Sequence, residues 1–296
     1  MKTAKARTSA YYKRERKILI ACFLVIPLTL LVMFTVYPVC AMIYYSFTNW
    51  NGYGSPDEFV GLKNYVEIFT NPKYWVVFQN SLYYLVSGLI QQALGLALAV
   101  LLSRKLRLSS FFKGTIFFPY LINAVAVSFI FLMFYEKGGV LDSTLQMLGL
   151  SDWSRLWIAD PNTVKYSLAF TALWRGFGYS FVIYSGAMQS VPSEIYEAAE
   201  IDGANAMQRT FRITIPNIKM VIGLMLMMTI IGSLSVFDIP FIMTKAQNGT
   251  NTFISTVVDV AFTYNQFGLA SALSVVLLIM ITLIALVRSV VLKEGD

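Results

Sequence analysis

Six times along the chain, Asp, Glu, Lys and Arg disappear for roughly the length of a bilayer crossing. The runs are Ile18 to Phe47, Tyr74 to Ser103, Gly114 to Tyr135, Gly176 to Ser193, Met220 to Phe237 and Val260 to Val287. The fourth extends back to Val164 once Arg175 is admitted, and the fifth continues past Asp238. A helix crossing a hydrocarbon core of about 30 Å needs about 20 residues. Inside lipid, backbone polar groups have no water to bond, so each segment must satisfy its own as a helix. The runs therefore predict an all-α, polytopic membrane protein with six transmembrane helices.

Composition agrees. Charged residues make up 13% of the 296 residues and mean hydropathy is +0.63. A soluble domain carries about 25% charge, so this chain has too little to wet a normal surface. Histidine is absent, which removes histidine acid–base chemistry and histidine metal sites. Cys22 and Cys40 fall in one apolar run, roughly 27 Å apart along a helix at ~1.5 Å per residue. They cannot bridge each other and suggest no metal site.

The net charge of +7 fits either nucleic-acid binding or basic flanks beside a membrane, and its distribution favours the membrane. One side collects Lys2, Lys5, Arg7, Lys13, Arg14, Arg16 and Lys17 in the amino-terminal arm. It gains Arg104, Lys105, Arg107 and Lys113, then Arg209, Arg212 and Lys219, then Arg288 and Lys293. The other side holds only Lys63, Lys73, Lys137, Arg155, Lys165 and Lys245. By the positive-inside rule both termini are expected in the cytoplasm. The segments Thr48 to Lys73 and Glu136 to Lys165 then lie outside, where Trp50, Tyr53, Trp153 and Trp157 suit the headgroup region.

One cytoplasmic stretch is unlike its neighbours. Glu197 to Pro216, EAAEIDGANAMQRTFRITIP, holds three acids and two arginines between apolar runs. Ser193 is placed to cap a helix, with Glu194 in its first turn. Gly203 suits a left-handed helix end. A second helix is expected from Ala204 to Ile215, with Met207, Phe211 and Ile215 on one face. Pro216 fits the first turn of the helix that follows. Physics alone leaves two readings open: a structured connector, or a docking element for a partner.

The stretch resembles the EAA loop of binding-protein-dependent ABC importer permeases, whose pattern is EAA, three residues, Gly, nine residues, then Ile-x-Leu-Pro. Here stand Glu197-Ala198-Ala199, Gly203 and Ile213-Thr214-Ile215-Pro216, with Ile215 in place of Leu. Further stretches resemble carbohydrate permeases of this group in the same order. They are Ser46 to Asn51, Phe59 to Tyr65, Phe117 to Tyr120, Gly138 to Leu141 and Trp174 to Tyr179. The chain looks like a maltose/oligosaccharide-type permease, without the extra amino-terminal helices and large external domain of the maltose permease itself.

The resemblance implies a type I ABC importer permease fold in the bacterial inner membrane. Residues 1–73 would form a basic arm, first helix and external loop. Residues 74–292 would form the five-helix core, with a coupling loop at 190–218. It implies a second homologous permease subunit, an ABC ATPase dimer, an extracytoplasmic solute-binding protein, an oligosaccharide substrate and a lipid surround. No nucleic acid is involved. Glu197, Ala198, Ala199, Asp202, Gly203, Ile213 and Pro216 would couple to the ATPase. The chain carries no GxxxxGK[ST] phosphate loop, so the permease binds no cofactor directly and Mg-ATP belongs to the partner.

Counting without gaps from Glu197 and Pro216 carries the family's substrate-lining positions onto Gly176, Tyr179, Thr229, Gly232 and Ser233. Small-residue helix packing explains Gly232 and Ser233 equally well. Gly232, Ser233 and Val236 depart from the amide-rich maltose pattern, which leaves the sugar open. Asn123, midway along the third span, is a further cavity candidate. Arg175 has two readings: a guanidinium reaching the external interface, or a cavity-facing donor to substrate, with Asp238 a candidate partner. An integral membrane enzyme would need clustered ionisable groups at one depth, and an ion-coupled carrier would need intramembrane carboxylates. The spans offer almost none. A permease for another solute, such as a glycerol phosphodiester or an oligopeptide, is the alternative within the class.

Overall fold

The structure, a computed structural model, describes residues 2–56, 58–102 and 109–293. Arg104, Lys105 and Arg107 lie outside the described residues. The first helix, α1, spans Lys2–Leu31 and passes through a π-helical segment, Val32–Val36, into α2, Tyr37–Tyr45. A loop follows, in which Thr48 and Phe59 form an antiparallel bridge, and then the short α3, Lys63–Thr70. The core helices come next: α4 Pro72–Leu102, α5 Ser109–Leu121 and α6 Ala124–Tyr135. After α7, Val140–Met147, comes α8, Val164–Gln189. The polar loop contains α9 Ser193–Ile201, α10 Ala206–Arg209, a π segment Thr210–Thr214 and α11 Ile215–Asn217. The chain ends with α12 Lys219–Leu234, α13 Asp238–Thr244, α14 Phe253–Val258, a π segment Asp259–Thr263 and α15 Phe267–Lys293.

Four helical stretches among the described residues are long and apolar enough to cross a membrane: Glu15–Tyr45, Pro72–Leu102, Lys219–Thr244 and Phe267–Arg288. A fifth appears if α5 and α6 count as one span. The helix α8 has 26 residues, about 39 Å at ~1.5 Å per residue, so it is long enough to cross. Its polar residues keep it below the apolarity of the others.

Two expectations need correction. The third span is broken: α5 and α6 meet at 90°, with Asn123 at the break rather than midway along a helix. Pro119 in the last turn of α5 removes a backbone donor just before the bend. Asn123 then restarts the chain, its Oδ1 accepting from the Val125 N–H at 2.8 Å. The helix of the sixth run begins at Phe267, not at Val260. That residue belongs to the π segment, and a turn through Asn265 at φ 52° separates it from α15.

The centre of the molecule is α4 lying along α8, with α12 packed on α4 and α5 packed on α8. Glycines let these helices touch. A Cβ on Gly95 would come within 2.9 Å of the Phe181 backbone nitrogen, and one on Gly178 within 2.0 Å of the Ile116 carbonyl. Lipid offers no hydrophobic reward for helix association, so such contact and interhelical hydrogen bonds carry the packing. Two clusters bracket the middle of the bundle. Ala99, Phe181, Tyr184, Ile218 and Met225 fill the end beside the polar loop. Tyr84, Phe131, Leu168, Ile239 and Met243 fill the opposite end.

Candidate functional site

Between the two clusters the helices part. A cavity of about 310 Å³ is lined from α4 by Tyr84, Ser87, Gly88, Gln91 and Gln92, and from α5 by Tyr120. Ala172 and Tyr179 line it from α8, and Met225, Met228, Thr229, Gly232, Ser233 and Val236 complete it around α12. Tyr179, Thr229, Gly232 and Ser233, placed on the wall by sequence counting, do meet there. Gly88 closes the gap between α4 and α12, since a Cβ on it would stand 2.5 Å from Thr229 Cγ2.

The wall is polar on one side and aromatic on another. Gln92 Nε2 donates to Thr229 Oγ1 at 2.8 Å, and Thr229 Oγ1 donates to the Met225 carbonyl at 3.0 Å. Gln91 Nε2 donates to Ser180 Oγ at 3.0 Å. The Gln92 side-chain oxygen and the Tyr84 hydroxyl are buried with no hydrogen-bond partner among the described residues. A buried acceptor left unpaired costs about 1–3 kcal/mol, so these two groups have capacity to spare. Tyr120 stacks on Tyr179, ring centroids 4.7 Å apart and planes 24° from parallel. Amide and hydroxyl groups beside stacked phenol rings can bind a neutral polyhydroxylated solute by hydrogen bonds and ring contact.

The structure separates the two readings of the small residues on α12. A Cβ on Gly232 would meet nothing within 4 Å, so packing does not require glycine there. Ser233 is buried and its hydroxyl donates to the Ile230 carbonyl at 2.7 Å, as helix packing would have it.

Gly176, Arg175 and Asn123 lie off the cavity wall. Gly176 seats Gln91, whose Oε1 would stand 2.3 Å from an added Cβ. Asn123 uses its side chain as a helix cap. Arg175 lies near the middle of α8, well away from either helix end, and its guanidinium rests over the Tyr120 ring at 5.4 Å. It makes no ion pair with Asp238; among the described residues the ion pair is Arg209 with Glu200 at 3.2 Å. Sequence reasoning missed Gln91, Gln92, Tyr84 and Tyr120. The signal was present for the glutamines: two adjacent amides in the middle of a charge-free run belong against protein or a cavity.

The polar loop forms the second site. Its first helix starts one position earlier than a Ser193 cap would allow: Pro192 holds the cap position and Ser193 is the first helical residue. Gly203 follows α9 at φ 77°, in the left-handed region. The second helix begins at Ala206 rather than Ala204, behind an Asn205–Gln208 capping box whose two hydrogen bonds are both 2.8 Å. It runs on through the π segment into α11. Tyr196 of α9 is hydrogen-bonded to Thr214 at 3.1 Å, and Glu200 pairs with Arg209, so the two arms of the loop are fastened together. Outward it shows Glu197 and Ala198, with Ile201 at 87%, Met207 at 70% and Phe211 at 61% exposure. These are large apolar side chains left open on a polar element.

The sequence matches the family described as the inner membrane component of binding-protein-dependent transport systems, over residues 92–293. The chain belongs to this family. It is 33% identical over 290 residues to a probable ABC transporter permease protein, YurN, of Bacillus subtilis, covering 95% of this chain and 98% of that protein. It is 30% identical to the multiple sugar-binding transport system permease protein MsmF of Streptococcus mutans, over 93% of this chain and 95% of that one. Its backbone matches the crystal structure of a bacterial ABC transporter involved in the import of the acidic polysaccharide alginate. There the TM-score is 0.85 at 18% identity, covering 97% of this chain and 99% of the other. At that identity the match speaks for the fold, which is that of an ABC importer permease.

Proposed function

We propose that this permease forms half of the translocation pathway of an ATP-driven oligosaccharide importer in the bacterial inner membrane. The observation that carries the reading is the cavity, walled by α8 on one side of the EAA loop and α12 on the other. Motion delivered to the loop would reach both walls. The cavity's amides, hydroxyls and stacked tyrosines suit sugar, as does similarity to a permease named for multiple sugars. Six crossings follow if α5 and α6 make one and α8 another, with both termini and the EAA loop in the cytoplasm. Residues 1–73 then form the arm, first helix and external loop, and 74–292 the core.

ATP hydrolysis belongs to an ATPase dimer docked on Glu197, Ala198, Ala199, Asp202 and Gly203, with Ile213 and Pro216 passing the motion to α12. A homologous permease subunit completes the cavity, and an extracytoplasmic binding protein delivers the solute. Import requires that the ATPase and the loaded binding protein favour opposite states of the cavity.

Uptake of labelled oligosaccharides by proteoliposomes carrying the whole transporter tests the reading. Wild type should accumulate sugar only with ATP and binding protein. Gln92→Leu, which removes the amide bridging α4 and α12, should raise the KM several-fold, since hydrogen bonds to neutral groups contribute about 1 kcal/mol each. Accumulation without ATP, or an unchanged KM in the variant, contradicts it.

A further inference from the structure

Arg175 stands one layer behind the cavity wall. Its Nε points at the Ile122 carbonyl at 3.5 Å, and its guanidinium carbon lies 5.4 Å from the centroid of Tyr120. Ile122 is at the break between α5 and α6, where the chain turns through 90°. A helix ending there leaves carbonyls without intrahelical donors, and it carries the negative end of the α5 dipole. Within a bilayer, broken backbone is tolerated only when protein or a water-filled cavity satisfies it. A planar guanidinium, with five N–H donors and a π face, can serve the carbonyl end and the phenol ring together. Tyr120 in turn stacks on Tyr179, and both rings line the cavity.

We infer that Arg175 is a positioning residue for the solute site. It pins the α5–α6 break and sets the tilt of Tyr120, and through Tyr120 that of Tyr179, without touching solute. The inference rests on the importer reading. It accounts for a cation near the middle of α8 that pairs with no acid among the described residues, and for the placement of that cation over an aromatic ring.

A double-mutant cycle tests it, with the assembled transporter carrying wild type, Arg175→Met, Tyr120→Leu or both, and Arg175→Lys as a fifth protein. If Arg175 acts through Tyr120, the two changes are non-additive. Each single change should raise the KM for uptake about 10-fold with Vmax within about 2-fold, and the double change should be no worse than the worse single one. Arg175→Lys keeps the charge but loses the planar stack, so it should restore less than half of the lost affinity. A KM increase that multiplies in the double variant, or none in Arg175→Met, overturns the inference. If Arg175→Met does not assemble, Arg175→Lys alone decides it, since full wild-type KM in that protein denies the stacking role. The thermal unfolding midpoints of the same proteins separate this inference from the sugar reading. Should wild type take up no oligosaccharide, the sugar reading fails by itself. Additive midpoint shifts would then overturn the Arg175–Tyr120 coupling, and non-additive shifts would uphold it.

Discussion

Gly176 and Gly178 lie two residues apart on α8, and the structure gives them different tolerances. A methyl group on Gly176 would meet the end of the Gln91 side chain, which can swing away. A methyl group on Gly178 would press against the Ile116 carbonyl and the Phe117 backbone of α5, which cannot. Gly176→Ala should therefore leave the thermal midpoint of the purified protein nearly unchanged while disturbing uptake through Gln91. Gly178→Ala should force α5 from α8 and cost about 1–3 kcal/mol, the usual range for overpacking. Equal midpoints for the two variants would contradict this packing. The sequence separated them on another ground, carrying Gly176 to the substrate lining and leaving Gly178 within the Trp174–Tyr179 stretch, because sequence does not register which neighbouring atoms each glycine faces. Side-chain depth was legible only in part. Counting from the EAA loop reached Tyr179 and Thr229, but it says nothing about residues on α4, a helix joined to the loop by space rather than by chain.

The elements show where sequence reading is strong. Charge-free runs mark the helices because the cost of burying charge in lipid is large and local. They do not mark the 90° break in the third span, because Pro119 and Asn123 act through backbone bonds that hydropathy does not register. The polar loop was legible in outline, since caps and glycine conformations are local; both helix starts shifted, the second arm turns π-helical over Thr210–Thr214, and Pro216 falls inside that arm's α11 rather than in the first turn of α12. The long loops between helices were the least legible. The loop after α6 is clasped by Asp142, whose carboxylate accepts from the Trp157 indole N–H at 2.9 Å and from the Gly138 N–H at 2.9 Å. The Trp157 hydrogen bond, then that of Gly138, hold its pKa below the ordinary carboxylate value. A lowered folded-state pKa means the clasp contributes fully above the unfolded value, about 3.9, and is lost as pH falls through the folded one. Hydrogen exchange at Gly138, corrected for intrinsic rate, should stay slow from pH 7 to about 5 and quicken only below about 4. Asp142→Asn should be fast at every pH, and a wild-type loosening near neutrality would contradict the clasp.

At the scale of the whole molecule, much of the apolar surface of the described residues is left open. The residues of α1 from Glu15 onward are exposed, and α2 meets the bundle chiefly along α15. Large apolar side chains face outward on every long helix, which lipid and a second permease subunit would cover. The EAA loop leaves Ile201, Met207 and Phe211 exposed, the surface on which the proposed ATPase would dock. The central claim is that this loop couples the cavity to an ATPase. It is tested most directly by purifying the tagged chain from its native membranes and measuring ATPase activity in the eluate, beside Gly203→Pro. Proline holds φ near −65°, whereas Gly203 sits at 77°, so the variant cannot form the turn that ends α9. Wild type should bring down an ATPase and a second permease, and the variant should lose the ATPase or uncouple it. A wild-type chain that purifies alone, without ATPase activity and still competent in transport, would contradict the account.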